Sequence, residues 1–87
     1  MRKTITGSTS TVTIVPNGFF YREHDSKIVR FFRFKKVGGV DSYSSSRKLE
    51  IYDSEGSVAL YIPKSDFKDY EALAADVLSA WTDFWSR

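Results

Sequence analysis

Residues 65–85 read SDFKDYEALAADVLSAWTDFW. The apolar positions are Phe67, Tyr70, Leu73, Ala74, Val77, Leu78, Trp81, Phe84 and Trp85. Their steps of three and four predict one broad apolar stripe on a helix over about 66–85. Asp69, Asp76 and Asp83 recur every seven residues on the opposite face. Ser65 or Asp66 is the expected cap, and the early acids suit the positive end of the helix dipole. Pro63 lies just upstream and stops any strand before the helix, because it cannot donate a ladder hydrogen bond. Such a helix cannot bury its stripe alone and needs a sheet to lie on.

The residues before Pro63 supply that sheet. Thr11–Val15 alternates, with Val12 and Ile14 on one face. Asn17-Gly18 is a strong hairpin signal, with Phe19–Glu23 as the return strand. His24–Ser26 is a second turn, and Ile28–Phe34 reads as a β-branched and aromatic strand. Gly38-Gly39 marks a bulge or a corner. Leu49–Tyr52 and Val58–Ile62 alternate around a hairpin at Asp53–Gly56, where Gly56 suits a left-handed position. Arg2–Thr6 adds an edge strand. The expectation is a single α+β domain over residues 1–87, with strands within 2–62. It is a bent antiparallel sheet or partial barrel of about six strands, with one C-terminal amphipathic helix packed on it.

A short chain has a thin core. Seven Phe, five Tyr and two Trp compensate, since each can bury on the order of 150–250 Å². There is no cysteine, which suits a reducing compartment. No stretch approaches the ~20 apolar residues of a membrane span, and the basic N-terminus lacks the apolar run of a signal sequence. A cytoplasmic location is expected.

Charge is divided along the chain. Residues 1–48 hold ten Lys and Arg against three Asp and Glu; residues 49–87 hold three against eight. Such asymmetry points to a surface that meets a charged partner. The cations concentrate in KIVRFFRFKK, residues 27–36. Strand alternation puts Ile28, Arg30, Phe32, Phe34 and Lys36 on a core-facing side. Lys27, Val29, Phe31, Arg33 and Lys35 share the outer side, which Arg22, Arg47 and Lys48 extend. Phe20, Phe31 and Tyr61 are expected as an outward aromatic patch, and Trp81 and Trp85 as a candidate interface at the helix end. Ser42 and Ser44–Ser46, beside Arg47 and Lys48, form a polar loop. The bland alternative for the basic strand is pairing with Asp and Glu on neighbouring strands.

Enzyme chemistry finds little footing. One histidine, His24, and no cysteine exclude the usual Cys/His metal sites. Asp53–Gly56 is too short for a calcium loop. Gly38-Gly39 lacks the Lys-Ser/Thr sequel of a phosphate-binding loop. No catalytic residue, cofactor or metal is expected.

Several patterns together resemble the pleckstrin-homology-like fold, a bent antiparallel barrel capped by one C-terminal helix. They are the Asn17-Gly18 hairpin and the Phe32-Arg33-Phe34 strand running into Val37-Gly38-Gly39-Val40. Leu49-Glu50-Ile51-Tyr52 with Asp53–Gly56 is another, and Ile62-Pro63-Lys64-Ser65-Asp66-Phe67 opening the helix completes them. Thr11–Trp81 is similar to the small bacterial versions. The resemblance implies a scaffold for protein contacts. Some members bind phosphoinositides through a basic loop between the first two strands; the matching loop here, Gly7–Ser10, has no basic residue. Three functional readings follow. The first is a non-catalytic adaptor whose basic aromatic strand meets an acidic protein. The second is a nucleic-acid-binding protein using the same strand, on single- or double-stranded substrate. The third is a small phage-type inhibitor. Twofold self-association through an edge strand or the Trp81/Trp85 end, giving a homodimer, is a further expectation.

Overall fold

The alternation of Val12 and Ile14, both buried, sets the inner face of the first sheet. A computed structural model describes residues 2–41 and 48–87. The first sheet has four antiparallel strands in sequential order: β1 (Lys3–Thr6), β2 (Ser10–Val15), β3 (Gly18–Glu23) and β4 (Arg30–Arg33). A 3-10 turn at Phe34–Lys36 leads into a second antiparallel sheet of β5 (Val37–Asp41), β6 (Lys48–Asp53) and β7 (Val58–Pro63). One helix, α1 (Tyr70–Trp85), ends the chain. The fold is α+β as expected, and among the described residues it has seven strands in two sheets that do not close into a barrel.

The extra strand is β5. Two glycines suppress its β signal, yet it pairs along β6 with a register shift between Val37 and Gly39. Of the bulge or corner read from Gly38-Gly39, the structure shows a shift of register inside a strand. The expected hairpins also form. Gly56 takes a φ of 87° between β6 and β7. The first hairpin forms for another reason than expected. Val15 pairs with Gly18, so the turn residues are Pro16 and Asn17, and Gly18 belongs to β3 without a positive φ. Gly18 is required by close approach: a Cβ there would sit 2.2 Å from the Phe32 carbonyl oxygen across the β3–β4 pair.

The helix begins later than the sequence predicts. Lys64–Asp66 form a 3-10 turn, and Asp69 is the cap, accepting from the Ala72 amide at 3.2 Å. Asp66 is instead buried, and its carboxylate accepts from the Ser10 hydroxyl and the Thr9 amide. That contact ties the β1–β2 turn to the approach to the helix. Leu73, Ala74, Val77 and Ala80 face the sheets, while Leu78 stays exposed. Asp76 pairs with Lys3 at 2.7 Å, joining α1 to β1. The core also takes Phe19, Phe34, Leu49, Ile51 and Ile62, all fully buried. Phe19 stacks on Phe32 at 5.0 Å, and Phe34 reaches Phe84 of the helix at 6.1 Å.

Leu73→Ala should lower unfolding free energy by about 2–5 kcal/mol, as for a fully buried leucine. Leu78→Ala should cost well under half as much; urea denaturation of the two variants checks the helix face. Asp66 supplies a second expectation. Its burial acts to raise the carboxyl pKa, but the hydrogen bonds from Ser10 and Thr9 outweigh it and hold the value below the ordinary one. A carboxyl depressed in the folded state stabilises the fold above its unfolded pKa of about 3.9. That contribution declines as pH falls from there through the folded value. The urea midpoint should therefore drop on acidification below about pH 4, and less steeply in Asp66→Asn.

Candidate functional site

Strand register decides which basic and aromatic side chains share a surface. Residues opposite one another across an antiparallel pair lie on one face. Thr4, Thr13, Phe20 and Phe31 therefore form one row across the outer face of the first sheet. Thr6, Thr11 and Arg22 form the row on one side of it. Val15, Gly18 and Arg33 form the row on the other. Phe31 lies against Phe20 with ring centroids 4.6 Å apart. It also leans over Gly18, where an added Cβ would come within 3.0 Å of the ring. Phe31 is 39% exposed.

The cations around this aromatic pair differ in what they touch. Arg22 turns back on the β3–β4 connection and donates to the Ser26 carbonyl at 3.2 Å. Arg30 sits over the Phe32 ring at 4.8 Å and donates to the Ala59 carbonyl of β7 at 3.1 Å. The side chains of Arg33, Lys35 and Lys36 are exposed and make no hydrogen bond or ion pair among the described residues. Cross-strand pairing with acids, the bland alternative, does not hold these three.

Two grooves flank the face. One, of about 240 Å³, is lined by Arg2, Phe20, Arg22 and Val29. The other, of about 340 Å³, opens between β4 and the second sheet and is lined by Phe31, Phe32, Arg33, Lys36, Tyr52 and Ala59. Tyr52 donates to the Glu50 carboxylate at 2.7 Å. That bond, above all, pushes its pKa up to about 12, so the phenol stays neutral as a donor.

Neither a family model, a curated protein nor a solved structure matches the chain.

The structure redistributes the residues expected to share one face. Phe31 and Arg33 are on it. Lys27 lies in the connection before β4, which starts only at Arg30. Ile28, expected toward the core, is 71% exposed in the same connection. Lys35 and Lys36 belong to the 3-10 turn, so strand alternation does not apply to them; Lys36 is exposed rather than core-facing. Lys48 and Tyr61 are on the second sheet, with the Lys48 ammonium 4.1 Å above the Tyr61 ring. Tyr61 lines a third groove, beside Tyr21, His24 and Pro63, and does not join the Phe20–Phe31 pair. Arg47, like Ser42 and Ser44–Ser46, lies outside the described residues. Trp81 completes the core edge and donates from its indole to the Val37 carbonyl at 3.0 Å. Trp85 is 57% exposed and meets Phe84 edge-on. Ile28 and Lys36 are thus both exposed where alternation expects them core-facing, and the doubled lysine after Phe34 gives no sign of the turn. Among the described residues, no group of three or more acidic or histidine side chains is placed to hold a metal ion. No helix among them is long and apolar enough to cross a membrane.

Phe31→Ala removes an aromatic pair from a partly exposed surface. It should cost about 0.5–1.5 kcal/mol beyond the lost burial, with the fold retained. Thermal unfolding and far-ultraviolet dichroism check both parts.

Proposed function

We propose that the chain is a non-catalytic binding module that meets an acidic protein through β4 and the turn after it. The observation that carries this reading is the group of Arg33, Lys35 and Lys36, exposed and without an ion-paired acid among the described residues, beside the exposed Phe31 and the half-buried Phe20. Unpaired cations steer an acidic partner and select against basic ones. Phe31 and Phe20 supply the kind of apolar anchor that interfaces use. The order of strands and helix supports the pleckstrin-homology-like resemblance as part of this proposal, with the fold as a scaffold for contacts. Fold alone assigns no partner. The lack of cysteine favours a reducing compartment, and the cytoplasm is the proposed location.

The rival reading is nucleic acid on the same strand, favoured by one observation: the Phe20–Phe31 pair lies between Arg22 and Arg33 on one face. A base could stack there while cations track phosphate. Arg22, however, is committed to the Ser26 carbonyl, so the cation track is broken on one side.

Salt dependence separates the two. Anisotropy titrations with labelled single- and double-stranded DNA, and with polyglutamate, are run across a salt series. The proposal expects polyglutamate binding at low salt and weak DNA binding. Submicromolar DNA affinity that falls steeply with salt would replace it with the rival. Reversing charge in the double variant Arg33→Glu, Lys35→Glu should abolish polyanion binding and leave the unfolding midpoint nearly unchanged. Binding that survives the double reversal would remove β4 from the surface.

A further inference from the structure

The exposed edge of β4 has the chemistry of a docking strand. Sheet order leaves four edges: β1, β4, β5 and β7. The β1 edge is tied to the helix through Lys3 and Asp76. The β5 edge begins at Val37, whose carbonyl accepts from Trp81. The β7 edge receives Arg30 at the Ala59 carbonyl. The β4 edge differs in its backbone and in its charge.

The backbone follows from the ladder. The Phe34 amide donates to the Asn17 carbonyl at 2.9 Å, in register with the Gly18–Arg33 and Phe19–Phe32 pairs. Hydrogen-bonded pairs alternate in an antiparallel ladder. The groups of Phe32 and Arg30 are therefore turned toward β3. Those of Phe31, and the amide of Arg33, are turned outward and lie outside the β3–β4 ladder, while the Arg33 carbonyl opens the 3-10 turn as its N-cap. The β3–β4 register has no bulge to twist this edge away. Edges of this kind template the addition of another strand.

Charge selects what is added. No acidic residue occurs from Ser26 to Val40, while Arg30, Arg33, Lys35 and Lys36 do. A second copy of this chain would set two such cation-rich edges against each other, and like charges opposed across strands are destabilising. An acidic strand has the complementary sign. Alternation then fixes its pattern. Residues opposite Phe31 and Arg33 lie on the outer face, where an acid meets Arg33. The residue opposite Phe32 points inward, toward the groove of about 340 Å³ lined by Phe32, Val37 and Ala59.

We propose that β4 binds an extended segment of a partner protein by strand addition, and that this segment alternates acidic with apolar residues. The inference rests on the acidic-partner reading above and adds its mode of binding.

Arg33 allows a direct test, because its φ of −75° is within the range of proline. Its amide points outward, so Arg33→Pro removes a docking donor without breaking a ladder bond. Arg33→Gln removes the charge and keeps the donor. The probe is a fluorescein-labelled, amidated heptapeptide alternating Glu and Val, titrated by anisotropy at low salt. The wild type should bind it, and Arg33→Gln should weaken binding several-fold. Arg33→Pro should weaken it at least about tenfold further, since proline cannot donate and its ring blocks the edge. Amide exchange on the wild type tests the same idea without a variant. Phe31 and Arg33 amides should exchange fast in the free protein and slow when peptide is added; Arg30 and Phe32 should be slow throughout.

Equal binding by the glutamine and proline variants, or unchanged exchange at Phe31 and Arg33, would overturn strand addition and leave charge-driven docking standing. A wild type that binds neither this peptide nor polyglutamate overturns the acidic-partner reading as well. Sedimentation showing a dimer that Arg33→Pro dissociates would make a second copy the occupant and overturn the proposed partner.

Discussion

Phe34 is fully buried at the point where the chain leaves the first sheet. Its ring reaches Phe19 on β3 at 6.3 Å and Phe84 on the helix at 6.1 Å. Its amide is held by the carbonyl of Asn17 in the first hairpin turn. One side chain thus joins the first sheet, the route to the second sheet and the helix. Truncating a buried Phe typically removes about 3–5 kcal/mol, which is a large share of the roughly 5–15 kcal/mol that stabilises a small domain. The three elements need this contact because none buries its apolar face alone.

The same contact shapes the surface. With Phe34 turned inward, the next two residues close a 3-10 turn and point their ammonium groups to solvent. Arg33 remains on the outer face of β4, so the three cations gather around the end of one strand. Arg30, three residues earlier, is spent on the Phe32 ring and the Ala59 carbonyl. Packing therefore sorts a uniformly basic stretch into a cation that reaches the second sheet and cations that make no hydrogen bond or ion pair among the described residues.

How much of this was legible follows from the range of each interaction. The helix stripe was readable because its period is local, and Leu73, Ala74 and Val77 are buried as the period requires. Its start was not. Asp66 looks like a cap, but Ser10 and Thr9, more than fifty residues away, take its carboxylate. The Asn17-Gly18 hairpin was readable as a turn, though Gly18 serves close strand approach and not a left-handed backbone. β5 was hidden because strand propensity is weak in Val37-Gly38-Gly39-Val40, and pairing with β6 supplies what propensity lacks. Of the site, the charge and the pairing of Phe31 with Arg33 on one face were legible from alternation. The departure of Lys35 and Tyr61 from that face, and the exposure of Lys36 in place of a core-facing position, were not, because they depend on the corner at Phe34 and on the division into two sheets.

Exposure of Phe31 is partly a matter of stability. Its ring covers Gly18 and packs on Phe20, which shields the β3–β4 backbone from water. The three cations have no such account. Beneath them the core is already sealed by Phe19, Phe32 and Phe34. No described acid forms an ion pair with them, although Asp53 lines the same groove as Arg33 and Lys36. Cations on an edge strand protect a protein from pairing with itself, since a second copy brings the same sign. That protection is directional in charge: it repels a basic edge and attracts an acidic one. If β4 takes up a strand as proposed, an edge guarded in this way, with outward backbone groups and a groove beside it, discriminates among strands by charge.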